Sequence, residues 1–129
     1  MTARRRDERG SALVDFTLVS VVLLPLVLGI VQVALVLHVR TTLAAAAAEG
    51  ARLAATSGSS PGDGVARTRS QIADAVGKRY ARDVRVRRVT VGGAPAIEVV
   101  VNAEVPALGL GGPAVGLSVS GTAVEERPR

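Results

Sequence analysis

An α+β fold is predicted for this chain: a long N-terminal helix that crosses a membrane, followed by a small head of one short helix and about three antiparallel strands. Three observations predict it. Phe16 to Leu37 runs without a formal charge, Thr56 to Gly64 reads TSGSSPGDG, and Ile97, Val99, Val101, Ala103 and Val105 alternate with intervening residues. An uncharged run of this length is a span, a cluster of Ser, Gly, Pro and Asp is a break, and period two is a half-buried strand. The 129 residues leave room for one small domain beside a membrane segment.

The N-terminal helix comes first. Residues in the chain are 48% hydrophobic while the net charge is +5, a combination that arises when apolar and basic residues are segregated. The first ten residues hold Arg4, Arg5, Arg6 and Arg9 against Asp7 and Glu8, and the apolar run follows. Its 22 residues, 16–37, make a helix of roughly 33 Å, enough for a hydrocarbon core of about 30 Å. A chain this small could hardly surround such a run as a buried core helix. Four arginines precede the span and only His38 and Arg40 closely follow it, so the N-terminus is expected in the cytoplasm and the residues beyond Arg40 outside. A cleavable secretory signal fits less well. Its apolar region runs roughly 7 to 15 residues, and here Arg40 separates a longer run from the small residues Ala44–Ala48.

Within the span, Pro25 has no N–H to give to the carbonyl of Val21 and is expected to kink or loosen the helix, with Gly29 one turn later. Gln32 reads as ordinary polar tolerance. Beyond Arg40 strong helix formers continue to Ala55, so one rod of about 40 residues, roughly 60 Å, is expected from Asp15 to Ala55. Ala46, Gly50 and Ala54 recur every four positions, the small-xxx-small spacing that lets another helix approach closely. Alanine propensity alone explains the same residues. Glu49 and Arg52 are three apart and are expected to form a solvated pair.

Residues 56–64 are expected as a linker and 65–129 as the head. Val65 to Ala81 reads as a short amphipathic helix, with Val65, Ile72, Val76 and Tyr80 on one face and Gly77 as its weak point. Val84, Val86, Val89 and Val91 trace a strand whose parity slips at Arg87-Arg88, which predicts a bulge. Gly92-Gly93-Ala94-Pro95 reads as a hairpin loop before the alternating strand. A Gly- and Pro-containing stretch from Ala107 to Gly116 precedes a third strand through Leu117, Val119, Gly121 and Ala123. The head has few large hydrophobes, so packing against the rod or against neighbouring copies is expected to complete its core.

The composition excludes much chemistry. Cysteine is absent and His38 is the single histidine, which removes disulfides, thiol catalysis and Cys/His metal sites. His38 lies at the membrane border with no Ser/Asp arrangement legible around it, so no catalytic residue and no cofactor are expected. Gly58–Gly64 lacks the GK[ST] ending of a phosphate loop, and Gly109–Gly112 neither follows a convincing strand nor opens a helix. Arg82, Arg85, Arg87 and Arg88 make a basic stretch beside Tyr80, a lone stacking aromatic, and with Asp83 among them they read as a solvated face rather than a nucleic-acid site. No small-molecule substrate is expected either.

One segment carries a resemblance. Arg9-Gly10-Ser11-Ala12-Leu13-Val14-Asp15-Phe16 sets a glycine, a small residue and an acid five positions after the glycine at the mouth of the span, which resembles the type IV pilin signal. The stretch from Glu8 to Ala55 is similar to the TadE-like family of minor pilins or pseudopilins of tight-adherence, Flp-type pilus systems at the bacterial surface. Val105-Pro106 and the late strand ending at Glu125 are more loosely similar. The family usually has glutamate where this chain has Asp15. The resemblance implies a basic leader, residues 1–10, removed by a prepilin peptidase between Gly10 and Ser11, a mature helix from residue 11, and a pilin-like head. It also implies that Asp15 pairs with the N-terminal amine of a neighbouring subunit during assembly. Its implied partners are that peptidase, an inner-membrane platform protein, an assembly ATPase, other pilin subunits and membrane lipid.

Independently, a carboxylate near a membrane interface is costly, up to about 2.5 to 3.5 kcal/mol at the span centre and less toward its end. It asks for a cation. After cleavage the Ser11 amine would stand four residues from Asp15, about 6 Å along the axis. The other reading of Asp15 is an acid in a first helical turn, favoured there by the dipole. A signal-anchored envelope protein with an extracytoplasmic interaction domain is the alternative to a filament subunit, and a secreted domain the third.

Overall fold

The computed structural model describes residues 2–109 and 112–127 of the protein, with the side chains of residues 2–6 and 109 left aside. Met1, where a leader is expected to begin, Leu110 and Gly111 of the glycine-rich stretch, and Pro128 and Arg129 lie outside the described residues. The fold is α+β: one long apolar helix, one shorter helix and three antiparallel strands. It forms two compact units, the first ending at Ala34 and the second starting at Leu35. The second unit takes in the last five turns of the helix, whose Val39, Leu43, Ala46, Ala47 and Ala51 belong to its core.

Helix α1 spans Thr2–Ala55. It begins earlier than Asp15, since alanine, arginine and glutamate in the first ten residues are good helix formers. Pro25 lies inside it without ending it. In the second unit, Val39, Leu43, Ala46, Ala47 and Ala51 are fully or almost fully buried, a stripe at helical spacing that faces the head.

Helix α2 spans Pro61–Ala75, four residues earlier at its start than the pattern of valines predicts. The turn-rich segment conceals a capping box. Ser60 Oγ accepts from the Asp63 N–H at 3.2 Å while an Asp63 carboxylate oxygen accepts the Ser60 N–H at 2.7 Å, and Pro61 occupies the first helical position. The helix also stops short of Ala81. Val76 and Gly77 both donate to the carbonyl of Ile72, at 2.9 and 3.1 Å, and Gly77 takes φ 111°, a conformation glycine reaches without strain. A 3₁₀ turn, Lys78–Ala81, follows and buries Tyr80.

Strands β1 (Asp83–Val91), β2 (Ala94–Pro106) and β3 (Ala114–Val124) form one sheet in the order β1-β2-β3. The expected bulge at Arg87-Arg88 is absent: Asp83 pairs with Asn102 and every position to Val91 opposite Ala94 pairs one for one. The valines change parity because Val84 and Val86 lie on the face that carries the core whereas Val89 and Val91 lie on the opposite face, beside Ala96 and Val124. The hairpin loop is only Gly92-Gly93, with φ of 57° and 81°, the geometry of a type I′ turn. Ile97, Val99, Val101 and Val105 are buried as their alternation predicts. β3 starts at Ala114, before the predicted Leu117, and the Ala107 N–H donates to the Pro113 carbonyl at 3.0 Å across the β2–β3 connection.

Candidate functional site

The segment from Gly10 to Phe16 is helical and exposed. A side chain built at Gly10 would meet nothing within 4 Å, so no close approach within this chain requires a glycine there. Ser11 and Asp15 are one helical turn apart and therefore share a face. Asp15 forms no hydrogen bond or ion pair among the described residues. Its carboxylate has the apolar run directly beyond it, and any cation that pairs with it comes from outside the described residues.

That run is bare. Phe16 and Val22 are each 71% exposed, and no part of the most apolar window is buried inside the protein. A core helix of a soluble protein is covered by its own chain, and this one is not. The helix is long and apolar enough to cross a membrane. Pro25 and Gly29 line a shallow apolar groove along it with Leu26, Ile30 and Val33. Proline withdraws a donor and glycine withdraws a side chain at the same place.

The small residues of α1 meet α2. Ala46, Gly50 and Ala54 are buried, and a Cβ at Gly50 would stand 1.9 Å from Thr68 Oγ1 and 2.6 Å from the Gly64 carbonyl oxygen. A Cβ at Gly64 would in turn meet the Gly50 carbonyl oxygen at 2.5 Å. The Thr68 hydroxyl donates to the Gly64 carbonyl at 2.8 Å and lies 3.3 Å from that of Ala46, which satisfies a polar group with no exposed surface. Gly64 and Thr68 were not singled out by the sequence pattern, although two small residues four apart on an amphipathic helix are the complement of the α1 spacing. Gly121, expected as a residue of the third strand, also makes a close approach that the alternation does not show. It takes an inward position of β3 and a Cβ there would come within 2.3 Å of the Ala48 backbone nitrogen.

The basic strand face is largely paired. Arg85 binds Asp83 at 2.9 Å, Arg88 approaches Glu125 at 3.4 Å, and Arg87 donates to Glu98 across the β1–β2 ladder. The Arg87 hydrogen bond holds the Glu98 carboxyl below its usual range and raises the Arg87 guanidinium. Glu49 does not pair with Arg52 as expected but lies 3.9 Å from Arg67, which α2 brings alongside. No group of three or more potential metal ligands occurs among the described residues.

No curated protein and no solved structure matches this chain. The family model described as TadE-like protein matches residues 10–52, so the chain is similar to that family from the glycine before the apolar run, through Asp15 and the long apolar helix, to the last turn of α1.

Proposed function

We propose that the protein is a minor pilin-like subunit, a pseudopilin, of a type IV or tight-adherence pilus or a related secretion filament. One observation carries this reading: the TadE-like match begins at Gly10 and takes in Ser11, Asp15 and the entire bare span. In this reading a prepilin peptidase cuts between Gly10 and Ser11 on the cytoplasmic side, and the new amine and Asp15 form charge pairs between neighbouring subunits. The helix slides from the bilayer into a filament, and Pro25 and Gly29 supply bending where the neighbouring helices demand it. The platform protein, the assembly ATPase and other pilin subunits are its partners, and the role is structural rather than enzymatic. Before assembly the chain is a single-pass protein of the cytoplasmic membrane with its head outside.

The test is the N-terminal sequence and intact mass of the protein from its own host's membrane and sheared-surface fractions. A start at Ser11 supports the proposal, and a start at Met1 or Thr2 overturns it. A second reading is a permanent signal anchor whose extracytoplasmic head binds an envelope partner. It is favoured by the closed core of the unit that starts at Leu35, which needs no neighbour to cover Leu43 or Val99. Recovery only in membranes, uncut, is its signature.

A further inference from the structure

One end of the head has a chemistry that processing and assembly leave unused. Gly50 faces Gly64 and Ala46 faces Thr68, so α2 runs antiparallel to α1. The seven helical steps from Thr68 to Ala75, roughly 10 Å of helix, carry the α2 terminus to the level of Val39. β3 runs the same way as α1: the Glu126 N–H donates to the Ala55 carbonyl at 2.9 Å and Gly121 lies on Ala47 and Ala48. Following β3 back to Ala114 therefore leads toward Val39 as well. The 3₁₀ turn Lys78–Ala81, the end of β2 and the start of β3 gather at the Val39 end of the second unit.

That end is basic and apolar together. Arg40, Lys78, Arg79 and Arg82 are exposed, and the ion pairs among the described residues engage Arg67, Arg85, Arg87 and Arg88 instead. The Arg79 guanidinium stands 5.8 Å from the centre of the Tyr80 ring. No charged residue occurs from Val105 to Val124, and Leu108 and Val115 are 37% and 45% exposed at the β2–β3 connection. A groove of about 640 Å³ opens among Arg79, Arg82, Asp83, Asn102, Glu104 and Ser118. Asp83 is engaged by Arg85 at 2.9 Å and Asn102 at 3.2 Å, which leaves Glu104 as the carboxylate that opposes an anion there.

We infer that this end of the head docks on the membrane leaflet from which α1 emerges, with Lys78, Arg79 and Arg82 on anionic phospholipid headgroups and Leu108 and Val115 in the interfacial layer. Cations near an anionic bilayer surface and apolar side chains at its boundary act together in this way. The span of α1 holds the head within reach, so the docking contacts need only orient it. The inference rests on the membrane span and is independent of cleavage at Gly10 and of filament assembly.

The absence of cysteine allows single-site probes. Val115→Cys and Val124→Cys place a fluorophore at opposite ends of β3 in the full chain, reconstituted in phosphatidylcholine vesicles with or without phosphatidylglycerol and a headgroup-level quencher lipid. With phosphatidylglycerol, quenching at position 115 exceeds that at 124 by about threefold or more, and Arg79→Glu with Arg82→Glu abolishes the difference. Glu104→Gln enlarges it. Equal quenching at the two positions, or a difference that survives loss of both arginines, overturns the inference. If the charge reversal unfolds the head, Arg79→Gln with Arg82→Gln decides the matter by the same readout. A chain that fails to float with vesicles defeats the span itself, whereas one that floats with equal quenching defeats the docking alone.

Discussion

At the scale of the residue, Asp15 and Gly50 show two ways in which one side chain commits a structure. Asp15 is a carboxylate at the edge of an apolar run, with Ser11 one turn away on the same face and no partner among the described residues. Under the filament reading, Asp15→Ala leaves cleavage intact and reduces incorporation into sheared filaments by about tenfold, equivalent to about 1.4 kcal/mol, while Asp15→Glu retains it. Gly10→Ala instead slows or blocks processing, seen as uncut chain in an intact-mass measurement. Normal incorporation of Asp15→Ala removes the role assigned to that carboxylate. Gly50 is committed by space rather than charge. Gly50→Val puts a branched side chain where even a Cβ meets Thr68 Oγ1 at 1.9 Å, and is expected to destabilise the head by about 1 to 3 kcal/mol or more, read as a lower urea midpoint.

At the scale of the element, α2 depends on its first turn. It has Gly62 and Gly64 within that turn, and glycine disfavours helix by about 1 kcal/mol relative to alanine. The Ser60–Asp63 box offsets that, and Ser60→Ala is expected to cost about 1 kcal/mol of head stability, measured by urea unfolding. The pH dependence has a definite sign. Hydrogen bonds from the Ser60 backbone and side chain depress the Asp63 carboxyl below 3.8, and Arg87 depresses Glu98 below 4.5. Both carboxylates therefore stabilise the fold fully above their unfolded values, and that stability is lost as pH falls through the lower folded ones. The urea midpoint should hold steady from about pH 7 to pH 5 and then decline below about pH 4; no decline sinks the assignment.

Elements also show what could be read in advance. The alternation from Ile97 to Val105 needs no tertiary knowledge, because period two is a property of the strand itself. The bulge in β1 was misread for the same reason in reverse: valine at 84, 86, 89 and 91 obeys two faces of one regular strand, and only the sheet shows that its outer face keeps a small apolar patch. Ser60-Pro61-Gly62-Asp63 had a legible capping signal, obscured by the glycines and serines around it.

At the scale of the whole molecule, the chain forms two compact units that divide at residue 35. Val39, Leu43, Ala46, Ala47 and Ala51 share a core with Ile72, Tyr80, Val84, Val99, Val101, Val105 and Val119. A fragment starting at Leu35 is expected to be soluble and to unfold cooperatively, because its core is closed without the span. A fragment starting at Thr56 lacks the α1 side of that core and is expected to show no cooperative transition by circular dichroism. Leu43→Ala in the longer fragment is expected to cost about 2 to 5 kcal/mol, since Leu43 has no exposed surface. Cooperative folding of the shorter fragment contradicts the shared core.

The sequence by itself determined the long apolar helix, the short-helix-and-sheet order of the head and the inward face of β2. Each follows from hydropathy, period or a motif that neighbours along the chain express without help. Only the tertiary structure decided that Ala46, Gly50 and Ala54 lie against Gly64 and Thr68 of the same chain, that Gly121 admits the backbone of α1, that Glu49 turns to Arg67, and that β1 is regular. These depend on which surfaces come within contact distance across tens of residues, and a local pattern shows that a face is small, apolar or charged without showing what it will meet.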